Sequence, residues 1–121
     1  MEEMLQDNVK LEAIISWLNE KNAENIRVYE VQGKTDYTDL IIVCEGSADI
    51  HNKAIANHVI DMAKKSHFPV LGKEGVDNGE WVLIDLTDVI VHIFLPDMRE
   101  HFQIDDLFEK VKNRKVDEET Q

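Results

Sequence analysis

Apolar residues recur along this chain with two periods, and the switches between them mark out the elements. From about Glu2 to Asn22, Leu11, Ile14, Ile15 and Leu18 fall at i, i+3, i+4 and i+7, the single stripe of an amphipathic helix. Trp17 lies off the centre of that stripe, which places it at a rim or a contact. Ile26 to Val31 alternates and is rich in β-branched residues, predicting a strand. After a break at Gly33-Lys34-Thr35-Asp36, Leu40 to Cys44 is a short unbroken apolar run, as expected of a strand buried on both faces. Gly46-Ser47-Ala48-Asp49 then turns into a second helix, with Ser47 or Asp49 available as its cap. In that helix Ile55, Val59, Met62 and Ala63 share a face, while Lys64 and Lys65 sit at the C-terminal end, where the dipole favours cations. Phe68 to Leu71 reads as a third short strand, at a sheet edge or strand start because of Pro69. Gly72 to Gly79 reads as a glycine-punctuated loop.

The clearest strands are Trp81 to Leu86 and Val89 to Leu95, and Thr87-Asp88 between them is short enough for a hairpin. A two-residue connection pairs Ile84 with Val91 and Val82 with Ile93. Val82, Ile84, Leu86, Val89, Val91 and Ile93 then form one apolar face, which is core. The opposite face sets Trp81 beside Phe94, Leu83 beside His92 and Asp85 beside Ile90, a mixed surface that looks made to meet something. Beyond Pro96, a short helical piece runs from Asp97 through Phe102, and Asp105 can cap a last helix using Leu107, Phe108 and Val111. Together these elements predict one α/β (α+β) domain over residues 1–112, a mixed five-stranded sheet flanked by helices, followed by a disordered polar tail at residues 113–121.

Charge narrows the function. The formal net charge is −12, and because residues 110–121 carry four basic and three acidic side chains, the body 1–109 holds −13. A phosphate-tracking protein draws most of its affinity from a basic stripe, which this body lacks. Bare nucleic acid and anionic membranes would repel it; a basic protein surface would attract it, less so at high salt. The plainer reading, that net acidity only keeps the domain soluble, stands beside that one. The single cysteine, Cys44, has no disulfide partner and fits a small core residue in a reducing compartment. The acidic N-terminus lacks the basic and apolar regions of a signal peptide, and no apolar run is long enough for a membrane span, so the expected location is the cytoplasm.

Catalytic chemistry finds little support. His51, His58, His67, His92 and His101 show no metal-ligand spacing, and no second cysteine offers a Cys/His site. No G-x-S-x-G elbow is present, and a thiolate at Cys44 would be disfavoured in an apolar strand. Gly46-Ser47 ahead of a helix is a natural anion site but also a routine cap. The strongest enzyme case joins Gly46-Ser47 to Asp85 and Asp88 as a nucleotidyl transferase. That chemistry needs carboxylates side by side on adjacent strands, whereas these two are three apart across a turn. Neither an enzyme nor a cofactor is expected.

The segment Gly79-Glu80-Trp81-Val82-Leu83-Ile84-Asp85, with Val91-His92-Ile93-Phe94 and Arg99-Glu100-His101-Phe102, strongly resembles the ribosomal silencing factor family, the Iojap-like proteins. Thr38-Asp39-Leu40-Ile41-Ile42-Val43, Lys53-Ala54-Ile55-Ala56 and Lys73-Glu74-Gly75 agree in order and spacing. The resemblance implies a fold of nucleotidyltransferase-like topology without its catalytic carboxylates, homodimeric when free. It implies binding to the large ribosomal subunit through ribosomal protein uL14, which blocks association with the small subunit and represses translation under nutrient limitation. Contact with ribosomal RNA would be peripheral at most. Family members usually carry Tyr where Phe102 stands, often Trp where Phe108 stands, and Thr-Ser-type residues where Ser47-Ala48 stands.

Matched positions and the hairpin argument together nominate the contact residues. Trp81 and Phe94 would be aromatic anchors, the class that dominates interface energetics, with Leu83 between them. Glu74 and Asp85 would meet basic side chains, and His92 and Arg99 would complete a polar rim. The competing placement packs Trp81, Leu83 and Phe94 under helices of the same chain or in a homodimer seam. Two other functions stay open at this point: a phosphate- or nucleotide-handling enzyme, and a dimeric adaptor for another protein.

Overall fold

The computed structural model describes residues 2–33 and 38–112, with side chains from Val9 onward. The polar tail expected at residues 113–121, and Lys34, Thr35 and Asp36 of the expected break, lie outside the described residues. Helix α1 (Glu2–Glu20) leads into β1 (Glu24–Glu30) and β2 (Leu40–Glu45). Helix α2 (Asp49–Lys65) follows, then β3 (Gly72–Glu74), β4 (Trp81–Asp85) and β5 (Val89–Phe94), and the short helices α3 (Pro96–His101) and α4 (Ile104–Lys112). The strands make one five-stranded sheet in the order β1-β2-β5-β4-β3. Only the central pair, β2 with β5, is parallel; the others are antiparallel, giving the mixed sheet that the pattern predicts.

Alternation along the strands sorts their side chains onto two faces. On the inner face Leu40, Ile42, Cys44, Val82, Ile84, Leu86, Val89, Val91 and Ile93 meet Ile14, Trp17 and Leu18 of α1 and Ile55, Ala56, Val59 and Ala63 of α2. On the outer face Tyr29, Val31, Ile41, Val43 and Phe94 lie under Ile104 and Phe108 of α4. Strand β2 is therefore buried on both sides, which is why its sequence is an unbroken apolar run. Burial pushes the Cys44 thiol up to about 12, leaving it an unreactive core side chain.

Several local expectations change in three dimensions. Trp17 is not at a rim; it is buried and packs on Phe68, ring centres 5.9 Å apart. Phe68 to Leu71 is not a strand. The edge strand is Gly72–Glu74, whose position is set by pairing with β4: Gly72 with Asp85, Lys73 with Ile84, Glu74 with Leu83. Neither Ser47 nor Asp49 caps α2: the cap position is Ala48, with no side-chain cap bond. The Ser47 N–H donates instead to His51 Nδ1 at 2.8 Å, and the Asp49 carboxylate accepts from the Ile50 N–H at 2.8 Å. Asp105 lies inside the first turn of α4, its carboxylate committed to Arg99 and Tyr29.

Candidate functional site

The β4–β5 hairpin has the register read from its alternation: Trp81 opposite Phe94, Val82 opposite Ile93, Leu83 opposite His92, Ile84 opposite Val91, Asp85 opposite Ile90. Its turn is tight and strained. The Asp88 N–H donates to the Leu86 carbonyl at 3.1 Å, a γ-turn centred on Thr87 at φ +83°. A β-branched residue rarely adopts that backbone. Surrounding bonds hold it there. Asp85 Oδ1 accepts the Thr87 N–H at 2.9 Å. The Asp88 carbonyl accepts from the Asp39 and Leu40 N–H groups, at 3.0 and 3.1 Å, and from the Thr38 hydroxyl at 2.9 Å. The Lys10 ammonium reaches the Asp88 carboxylate at 2.6 Å and the Leu86 carbonyl at 2.7 Å.

The other end of β4 is fixed by two glycines at φ +80°. A Cβ on Gly75 would lie 2.1 Å from the Trp81 carbonyl oxygen, and one on Gly79 would lie 2.7 Å from that of Asp49. Only glycine fits either place. The buried Asn52 amide donates to the Gly79 carbonyl at 2.7 Å, tying this loop to α2. Strand β4 is thus anchored at both ends.

On the outer face, Trp81 is 38% exposed and Phe102, at the end of α3, is 49% exposed. Their rings lie 6.1 Å apart, and Trp81 lies 4.8 Å from the fully buried Phe94. The indole N–H of Trp81 donates to His92 Nδ1 at 3.0 Å. His92 itself is buried, stacked on Phe94 at 5.9 Å and 5.2 Å from the Phe108 ring. Burial depresses its pKa to about 4, so the imidazole is neutral near pH 7 and accepts the indole hydrogen bond. Leu83 and Asp85 are half-buried beside this cluster, and Glu74 is exposed on β3 opposite Leu83. The result is an apolar patch with two carboxylates along one side.

Over β1 and β2 the outer face is closed by a charge network. Arg99, 6% exposed, donates to Asp105 through Nε (2.8 Å) and a terminal nitrogen (3.0 Å). Its other terminal nitrogen reaches Glu45 at 3.0 Å and the Asn25 carbonyl at 2.7 Å. That carbonyl sits within the register shift between Glu24 and Arg27, where Asn25 takes φ +51°. The Tyr29 hydroxyl donates to Asp105 at 2.5 Å. Arg99's hydrogen bonds hold the Asp105 carboxyl below its usual range. Burial, reinforced by Asp105, pushes Tyr29 up to about 12.

The seven sequence-nominated residues therefore separate. Glu74, Trp81, Leu83 and Asp85 share the open surface. Phe94 and His92 lie directly behind Trp81 as its buried support, and Arg99 is an internal clamp rather than part of a rim. Phe102 joins the exposed patch although the sequence did not nominate it: the turn of α3 between Phe94 and Phe102 brings its ring to Trp81. The resemblance at that position was the one available signal. Phe108, behind His92, was likewise visible only as a helix residue.

The histidines of α2 and the two aspartates of the hairpin turn have structural partners. His51 Nε2 lies 2.7 Å from the Lys21 carbonyl and His58 Nε2 lies 2.7 Å from Glu20, so the two bind α2 to the end of α1 rather than to each other. Of the carboxylates of the enzyme reading, Asp88 is paired with Lys10 and Asp85 accepts the turn amide through one oxygen. Among the described residues, no three His, Cys, Asp or Glu side chains are grouped to hold a metal ion, and no helix is long and apolar enough to cross a membrane.

Comparison with known proteins adds to this geometry. The family described as ribosomal silencing factor during starvation matches residues 4–121. The chain is 34% identical over 90 residues to ribosomal silencing factor RsfS of Bacillus subtilis, covering 74% of this chain and 76% of that one. It is 27% identical over 101 residues to mitochondrial assembly of ribosomal large subunit protein 1 of Mus musculus, covering 81% of this chain and 44% of that protein. A crystal structure of a Chromobacterium violaceum protein superposes with a TM-score of 0.79 at 33% identity, covering 86% of this chain and 85% of the other.

Proposed function

The chain belongs to the ribosomal silencing factor family, and on that premise we propose that it represses translation by binding the large ribosomal subunit and sterically blocking its association with the small one. A steric plug needs a rigid surface and no reacting group. The observation that carries the reading is the half of the outer sheet face left open around Trp81, an apolar patch with Glu74 and Asp85 beside it. We take the partner on the subunit to be ribosomal protein uL14, met by Trp81, Phe102 and Leu83, with the two carboxylates toward its basic side chains. The name of the mouse relative points to the same subunit. A body charge of −13 favours encounter with a basic protein surface and disfavours ribosomal RNA.

The free protein is read as a homodimer and as cytoplasmic. We read the β1-β2-β5-β4-β3 sheet as nucleotidyltransferase-like in topology, with the chemistry absent because Asp85 and Asp88 serve the turn.

Gradient sedimentation with separated ribosomal subunits tests the proposal. The protein should travel with large subunits at low salt, dissociate at high salt, and inhibit joining with small subunits. Trp81→Ala should weaken binding about 30-fold or more, as removal of a central aromatic anchor does. Failure of the wild-type protein to sediment with large subunits at low salt would sink the idea.

A further inference from the structure

We propose that His92 is a positioning residue: by accepting the indole hydrogen bond it sets Trp81 in its binding orientation, so that the apolar ring face, and not the N–H, meets the partner. The inference deepens the reading of the Trp81 surface given above and rests on it.

The geometry carries the argument. Trp81 is the exposed aromatic side chain that the open half of the sheet itself contributes, yet its one polar atom points inward, 3.0 Å from His92 Nδ1. An exposed tryptophan ordinarily leaves its N–H to water, and burying such a donor against an apolar partner leaves it unsatisfied. Here the donor is satisfied before any partner arrives. The ring is also restrained: Phe94 lies behind it at 4.8 Å and Phe102 beside it at 6.1 Å. His92 cannot yield, since it is wedged between Phe94 and Phe108 on a strand paired on both sides. An anchor held in its bound orientation loses less side-chain freedom on association.

The arrangement also specifies the seat. The surface receiving Trp81 needs apolar, flat contact and has no use for a hydrogen-bond acceptor opposite the indole nitrogen. Charge recognition is left to Glu74 and Asp85 on the neighbouring positions.

Two substitutions separate positioning from packing. His92→Phe fills the space between the rings and removes the acceptor. His92→Asn places an amide oxygen near the position of Nδ1. In ¹⁵N-labelled protein the Trp81 indole N–H should exchange slowly with water in the wild type and in His92→Asn, and fast in His92→Phe. Affinity for purified large subunits should fall about tenfold in His92→Phe, the size of one neutral hydrogen bond, and be largely restored in His92→Asn. Should His92→Phe fail to fold, benzothienylalanine incorporated at position 81 removes the indole donor without touching His92 and should show the same loss. Equal affinity of wild type and the variant lacking the bond overturns the role of His92 alone. Absence of binding by the wild type overturns the ribosomal reading and this inference together.

Discussion

Two halves of one sheet face are finished differently. Over β1 and β2 the chain closes the surface itself: Ile104 and Phe108 cover Tyr29, Ile41 and Val43, and Arg99 fastens the cover through Glu45, Asp105 and the Asn25 carbonyl. Over β4 and β3 no helix among the described residues covers this face, and Trp81, Leu83 and Phe102 remain at the surface. The closed half uses charge where it is enclosed by its partners, while the open half keeps its polar atom satisfied and offers carbon outward. His92 stands on the boundary, touching Phe108 on one side and Trp81 on the other. The contrast teaches that a surface aromatic can be supported as firmly as a core residue, as Trp81 is by Phe94 and His92.

The largest effect should come from breaking the closed half. Arg99→Ala leaves Glu45 and Asp105 facing each other without their cation, and unfolding free energy in urea should fall by about 3 kcal/mol. Trp81→Ala in the open half should lower it by only about 1 kcal/mol, while on the proposed function its effect on subunit binding should be the greater. Equal losses of stability would erase the distinction between the halves.

Acid should loosen the boundary before the clamp. The His92 pKa is lowered from 6.5 to about 4, so the unfolded chain takes up this proton first on acidification. Stability is thus fully present above pH 6.5 and is lost as pH falls toward 4, by about 2–3 kcal/mol. Asp105 is depressed below 3.8, so its contribution is present above that value and is lost only as pH falls further. Denaturation curves across this range should show the first slope vanish in His92→Phe and the second persist.

The smallest effect is a gain. Thr87→Gly relieves a β-branched residue at φ +83° and should raise stability by about 1 kcal/mol, less the freedom glycine adds to the unfolded chain. Thermal melts of the two proteins give the answer. No gain would mean that the bonds to Asp85, Asp88 and Lys10 leave the turn no strain to relieve.

Much of this architecture was legible in the amino-acid order because it rests on short-range rules. Period two and a two-residue turn determined the pairing of Ile84 with Val91 and the inner core face. An unbroken apolar run identified the doubly buried β2, and the order of motifs across nearly the whole domain pointed to the family. Tertiary structure alone decided which half of the outer face would be open. The placement of β3 at Gly72–Glu74, the burial of Trp17 against Phe68, the retreat of Arg99 into a clamp and the approach of Phe102 to Trp81 all depend on partners distant in sequence. Periodicity reports which residues want burial, but a helix nine residues long covers only part of a sheet, and which part follows from where Arg99 and Asp105 find their counter-charges.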